Sequence, residues 1–138
     1  MRQIFFIIIG LSIGVFAEFS RDSDIVTDSV TKLEWQDNTI GNTMEWKDAI
    51  NYCENDVSLG NHQDWRLPNI NELTSLVDDS NANPAIDSIF EYTSSNLYWS
   101  SSTTAGATNG AWTVYFSSGG QHNDYKDNSL FVRCVRDN

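Results

Sequence analysis

An acidic, amide-rich segment on either side of Pro84 carries side chains suited to binding a calcium ion. Alternate residues match the first oxygen ligands of an EF-hand loop: Asp79, Asn81 and Asn83. Pro84 stands where that loop requires glycine, and Phe90 where it requires a bidentate acid, so an EF-hand is excluded. A looser calcium site stays open, with the carboxylate ligands Asp78, Asp79 and Asp87. The alternative is that these residues only form local turns.

A second polar segment, near the C-terminus, suits recognition of a polar ligand. It mixes one aromatic ring with amides and charges, as polar recognition loops do: Gln121, His122, Asn123, Asp124, Tyr125 and Lys126. We predict that the loops 103–110 and 119–128 flank one strand and present a shared binding surface. The alternative is an ordinary solvated hairpin.

The sequence shows no recognisable catalytic centre. It contains no nucleophile elbow, no HExxH zinc motif, no P-loop and no dinucleotide fingerprint. His62 and His122 are the only histidines, too few for a zinc site without further ligands. Glycosidase chemistry needs two carboxylates at a set separation, which 19 scattered acids neither establish nor exclude. We therefore expect a non-catalytic protein with no cofactor, and keep a polysaccharide hydrolase as an alternative.

The charge of the chain excludes two classes of partner. Its 8 basic and 19 acidic residues give a net charge of −11. No cluster of Lys or Arg offsets this charge, so the surface would repel nucleic acids and anionic membranes.

The first 17 residues have the pattern of a secretory signal peptide. Arg2 precedes an apolar run from Ile4 to Phe16, and Val15 and Ala17 are the small residues of a cleavage site. The run is short for a membrane span, and an uncleaved anchor is the alternative. We expect a secreted, periplasmic or cell-surface protein with one domain over residues 18–138 and no membrane contact after cleavage.

Two cysteines remain in this exported chain, Cys53 and Cys134. Export leads to an oxidising compartment, so we expect a disulfide between them, with two free thiols as the alternative.

The hydrophobic pattern predicts the elements that position these residues. A helix capped by Thr43 is predicted from Met44 to about Asn55, because apolar residues recur at helical spacing: Trp46, Ala49, Ile50 and Cys53. A helical turn is predicted from Pro84 to Phe90. Strands are predicted at 25–30, 33–35, 97–100, 111–117 and 130–136, with Trp112, Val114 and Phe116 on one side of the fourth. The fold class is therefore α+β.

The stretch Trp65 to Leu73 is predicted to start a second helix that runs to about Val77. Pro68 keeps the preceding residues extended. Asn69 is a good N-cap, and Glu72, three residues on, completes a capping box. Arg66 is predicted to bond loop carbonyls or to pair with a carboxylate such as Glu72.

The five tryptophans offer flat rings on which a sugar could stack, but they all fall on predicted elements. Large aromatic residues normally pack in cores, so we expect core packing rather than ligand contact. They are Trp35, Trp46, Trp65, Trp99 and Trp112.

Seven short motifs follow one another along the chain. They are Leu33–Asp37, Trp46–Ala49 with Tyr52–Cys53, Asp64–Pro68 with Glu72–Leu73, Asn83–Asp87, Tyr98–Ser101, Ala111–Trp112 with Val114 and Phe116, and Val132–Arg136. In this order they closely resemble the Lcl C-terminal domain family, named for the Legionella collagen-like protein. The resemblance covers about residues 24–137.

The resemblance implies a variant of the C-type lectin-like fold, with two helices packed on a small twisted antiparallel sheet. It also supports the Cys53–Cys134 bond, because lectin-like folds commonly tie the first helix to the last strand. It implies adhesion to a glycan or protein ligand at the cell surface, whereas the negative charge disfavours the sulfated polyanion bound by the best-known member. The alternative is an envelope structural domain that assembles with copies of itself as a homo-oligomer.

Overall fold

Seven strands form two antiparallel sheets in the computed structural model, which describes residues 18–138. In the first sheet the order is β1 (Phe19–Asp22), β2 (Ile25–Asp28), β3 (Leu33–Gln36) and β7 (Val135–Asp137). The second contains β4 (Leu97–Thr103), β5 (Gly110–Tyr115) and β6 (Gly120–Tyr125) in that order. The α+β class is confirmed. The expected packing of two helices on a single antiparallel sheet is not observed, because the strands form two sheets. The predicted signal peptide lies outside the described residues.

The first sheet joins the two ends of the described chain. β1 was not predicted from the sequence; it pairs with β2, and β3 pairs with both β2 and β7. The predicted last strand, 130–136, is wrong over most of its length, because only Val135–Asp137 lies in the sheet. Leu130 and Phe131 instead form isolated bridges with other parts of the chain.

The first helix is shorter and less regular than its pattern predicts. Helix α1 (Trp46–Asn51) continues into a π-helical turn, Tyr52–Asp56, so Cys53 lies just beyond α1. Thr43 is not the cap: Glu45 holds that position without a side-chain hydrogen bond. A single 3₁₀ turn follows at Leu59–Asn61.

Helix α2 (Ile70–Thr74) begins where predicted but ends three residues before Val77. The helical turn predicted after Pro84 is wrong. There the backbone pairs in an extended form instead, since Ala85 N donates to Phe116 O at 2.7 Å and Ile86 bridges Val77. Among the described residues, no helix is both long and apolar enough to cross a membrane.

The core consists of two hydrophobic clusters. One packs Trp35 and Tyr98 with Leu73 of α2, and the other surrounds Trp65, Trp99 and both cysteines. The Cys53–Cys134 disulfide is confirmed. Core packing is confirmed for the three tryptophans whose exposure is at most 1%, namely Trp35, Trp65 and Trp99. The two exceptions, Trp46 and Trp112, are only partly buried.

Candidate functional site

The segment predicted as the polar loop 119–128 is mostly a strand. Gly119, with φ +88°, closes the turn from β5, and β6 then pairs with β5 over its whole length, from Gly120 to Tyr125. β4 likewise extends to Thr103, so the preceding loop spans only residues 104–109. The predicted ligand-binding side chains therefore lie on a sheet rather than a loop, and only Lys126 lies past the strand end.

A cleft of about 490 Å³ opens at the tip of this second sheet. We call it the β6 cleft. Its lining residues are Thr104, Ala107, Asn109 and Gly110 on one side, and Asn123, Asp124, Tyr125 and Asn128 on the other. The wall is thus made by the loop between β4 and β5 and by the end of β6, the two segments predicted to share a surface.

Tyr125 is the most exposed large hydrophobic residue among those described, with 64% of its surface accessible. Gly110 lies directly opposite it on β5 and has no side chain to cover the ring. Nearby, the Thr104 hydroxyl donates to Asn123 Oδ1 at 2.9 Å. An exposed aromatic ring beside amide and hydroxyl groups can stack on one face of a ligand and hydrogen-bond its edge.

The six predicted ligand-binding residues do not share one face. Side chains alternate along a strand, so Gln121, Asn123 and Tyr125 lie on one face of the sheet, and His122 and Asp124 on the other. One Asp124 oxygen, Oδ2, accepts a hydrogen bond from the Thr113 hydroxyl at 3.3 Å. The structure therefore brings Asn123, Asp124 and Tyr125 to the cleft, with the Asp124 side chain on the opposite face of the strand from the other two, and directs His122 elsewhere.

Lys126 places its charge on the His122 and Asp124 face of the sheet. Its Nζ lies 4.0 Å from the centre of the Trp46 ring and donates to Thr103 Oγ1 at 2.9 Å. A cation above an indole ring is attracted by the π electrons. Both the ammonium and the Trp46 ring are thereby engaged with each other rather than presented freely.

The segment predicted to bind calcium is internally hydrogen-bonded. Asp78 accepts bonds from Ser80 and Asn81, and the Ser80 hydroxyl bond lowers the pKa of Asp78. Asp87 Oδ1 accepts from Ile89 N at 2.8 Å, while Asp79 is exposed. Within residues 18–138, no group of three or more His, Cys, Asp and Glu side chains is placed to hold a metal ion. The calcium site stays a prediction.

The Trp65–Leu73 stretch acts as a structural joint. Asn69 Oδ1 accepts from Glu72 N at 2.8 Å, and Glu72 Oε1 accepts from Asn69 N at 2.9 Å, which is the predicted capping box. Both Arg66 terminal nitrogens lie 2.7 Å from the Glu72 oxygens. Buried Pro68 accepts a hydrogen bond from Ser101 N, which ties the joint to β4, and Trp65 lies in the core.

Some residues of the site were predicted only as part of a loop and not individually, because their roles depend on distant neighbours. Thr104, Asn109 and Asn128 line the cleft and fall within the predicted loops 103–110 and 119–128, but no local signal singled them out. Trp112 was assigned to the core, yet it lies opposite Asn123 and is partly exposed. The only sequence signal that could have indicated the cleft residues is the abundance of Asn in the segments around Tyr125.

These features define a small disulfide-linked α+β domain with a polar, aromatic-rimmed cleft at one sheet tip. The chain belongs to the Lcl C-terminal domain family, whose model matches residues 24–136. No curated protein matches the chain.

Proposed function

We propose that this protein is an exported, non-catalytic binding domain that holds a glycan in the β6 cleft. The observation that carries the proposal is the exposed ring of Tyr125 at the rim, beside Asn109, Asn123 and Asn128. A sugar ring has an apolar face that stacks on an aromatic side chain, and hydroxyls that pair with amides. Neither contact requires a cofactor or a metal ion.

The wider proposal is a variant of the C-type lectin-like fold, acting as an adhesion module in the periplasm, at the cell surface or outside the cell. Family membership supports it, as does the disulfide that links the turn after α1 to the residue preceding β7. β7 pairs with β3, which brings the two ends of the domain into one sheet.

A glycan array probed with the purified protein, with and without calcium, tests the binding proposal. We expect the wild type to bind at least one glycan, equally well in a chelator, and Tyr125→Ala to bind about tenfold more weakly or worse. Tyr92→Ala is the matched control, because Tyr92 is also exposed, at 40%, but lies outside the cleft. Absence of binding to every glycan, or equal binding by Tyr125→Ala, would overturn the proposal.

A second candidate function is self-assembly, favoured by the position of β6 at the outer edge of its sheet. Lys126 N donates to Asn109 O at 2.8 Å, so the N–H of Lys126 points toward the β5 side of the strand. Successive N–H groups of a strand point to alternate sides, so those of Gln121 and Asn123 point outward, away from β5. An open strand edge can pair with a second copy of the chain. Sedimentation would then show an oligomer that Asn123→Pro dissociates; a monomer at high concentration would exclude this function.

A further inference from the structure

We infer that the ligand is an uncharged, linear oligosaccharide that extends across the sheet from Tyr125 to Trp112. This inference rests on the proposed glycan-binding function and specifies its ligand class. The surface concerned, here called the aromatic row, consists of Tyr125, Asn123 and Trp112.

The register of the second sheet places the aromatic row on one face. Gly110 lies opposite Tyr125, and Trp112 lies opposite Asn123. Directly opposed residues of an antiparallel pair share a face, as do residues two apart along a strand. Trp112 is therefore the diagonal neighbour of Tyr125, one strand across and two residues along.

The backbone spacing of Tyr125 and Trp112 suits more than one sugar unit. Two residues along a strand cover about 7 Å, and adjacent strands lie about 5 Å apart, so the Cα atoms are separated by roughly 8 Å. That separation is larger than one sugar ring. A chain of more than one sugar unit can therefore contact both side chains, with Asn123 positioned between the two contacts.

The aromatic row carries no charged side chain, although 20% of the residues in the chain are charged. The neighbours on the same face are also uncharged: Thr104, Gly110 and Gln121. The nearest cation, Lys126, is held on Trp46 and Thr103. A sulfated chain would find no counter-ion along the row, in a protein whose net charge is −11. The face of the row thus offers no ionic partner to a charged chain, and the net charge further disfavours an anionic one.

The far end of the row is bounded by α2. Gln121 Nε2 donates to Thr74 Oγ1 at 2.8 Å, and Gln121 lies opposite Val114, which is fully buried. The accessible row is therefore short, and we expect affinity to level off after a few sugar units.

The test uses oligosaccharide ladders of glucose, N-acetylglucosamine, mannose and galactose, each of one to six units, with a heparin hexasaccharide as the sulfated probe. Dissociation constants come from calorimetry. For any ladder that binds, we expect affinity to rise at least about tenfold between one and three units and then to level off. Heparin should bind more weakly than that trisaccharide.

Two variants test whether Trp112 causes the rise in affinity between one and three sugar units. Trp112→Ala should weaken trisaccharide binding about tenfold while leaving monosaccharide binding unchanged, and retained monosaccharide binding shows that the variant is folded. Trp112→Phe, a milder change, should abolish the change in tryptophan emission that the trisaccharide causes in the wild type. Trp46→Phe is the control and should keep the emission change.

The outcomes separate this inference from the proposed function. Equal affinity for one and six units, or an emission change that survives Trp112→Phe, would overturn the extended row but leave a site at Tyr125. Tighter binding of heparin than of every neutral ladder would overturn the uncharged class. Failure of every saccharide to bind would overturn the proposed function and this inference with it.

Discussion

Arg133 Nη1 lies 2.9 Å from Asp37 Oδ1, and both side chains are almost fully buried. Asp37 also pairs with Arg21 and accepts bonds from the N–H groups of Glu91 and Tyr92. Arg133 in turn donates to the carbonyls of Gln36 and Tyr92. Burial lowers the pKa of Arg133 to about 10, so it stays charged at neutral pH. This pair fixes the segment before β4 against the end of β3.

Asp37→Ala is expected to destabilise the fold by about 3–5 kcal/mol, because it leaves the Arg133 guanidinium buried without a counter-ion. Urea unfolding followed by circular dichroism measures the change in free energy. Asp79→Ala is the control; Asp79 is exposed, and a surface change should stay within about 0.5 kcal/mol. Equal midpoints for the two variants would show that the buried pair contributes little.

The Cys53–Cys134 bond is expected to stabilise the protein mainly by restricting the unfolded chain. The cysteines are 81 residues apart, and closing a loop of that size contributes up to ~4.5 kcal/mol in the chain-entropy model. Replacing both cysteines by Ala should lower the free energy of unfolding accordingly, and a reductant should affect only the wild type. Two free thiols in the unreduced protein, found by mass spectrometry, would contradict the bond.

Asn69→Ala is expected to destabilise the protein by about 1 kcal/mol, because the N–H of Glu72 loses its cap. Thermal or urea unfolding measures the loss. Asn71→Ala is the matched control, since Asn71 is an exposed residue of the same helix. If both substitutions shift the midpoint equally, the cap is not the cause.

Glu72 is expected to make the stability depend on pH in the acid range. Burial of Glu72 opposes its ionisation, but hydrogen bonds from Arg66 and the Asn69 N–H outweigh burial and lower the pKa of Glu72 from its ordinary value. A carboxyl whose pKa is lower in the folded state stabilises the fold above its unfolded pKa, and this stability is lost as pH falls through the folded pKa.

The free energy of unfolding should therefore decrease as the pH is lowered from about 4.5. The decrease should be less steep in Glu72→Gln. Urea unfolding curves recorded at on the order of ten pH values between about 2.5 and 7 measure the difference in pH dependence between the wild type and Glu72→Gln. Glu54→Gln, at an exposed position, should keep the wild-type slope. Parallel curves for the wild type and Glu72→Gln would refute the contribution of this carboxylate.

Gly119→Ala is expected to destabilise the β5–β6 turn by more than about 1 kcal/mol. The φ of Gly119 is +88°, and an added Cβ would lie 2.5 Å from Val77 Cγ1. Gly106→Ala is the control, because Gly106 has φ +78° but no atom within 4 Å of an added Cβ. The difference between the two midpoints measures the contact with Val77; no difference would exclude it.

Local signals in the sequence predicted the features that depend on neighbouring residues. The capping box at Asn69 and Glu72 needs only a spacing of three, and the pairing of Arg66 with Glu72 lies within the same stretch. The disulfide followed from the predicted export to an oxidising compartment, with only two cysteines available to pair. The motifs in order identified the family, which the match over residues 24–136 confirms.

Only the tertiary structure decided which polar segment is a strand and which side chains meet. Residues 120–125 are almost entirely polar, so no alternation of apolar residues marks β6; its pairing with β5 makes it a strand. The same pairing separates Tyr125 from His122 and places Trp112 beside Asn123. Asp37 and Arg133 are 96 residues apart, and their contact depends on the path of the whole chain. Spacing along a sequence reports local geometry, whereas a site is assembled from residues that only folding brings together.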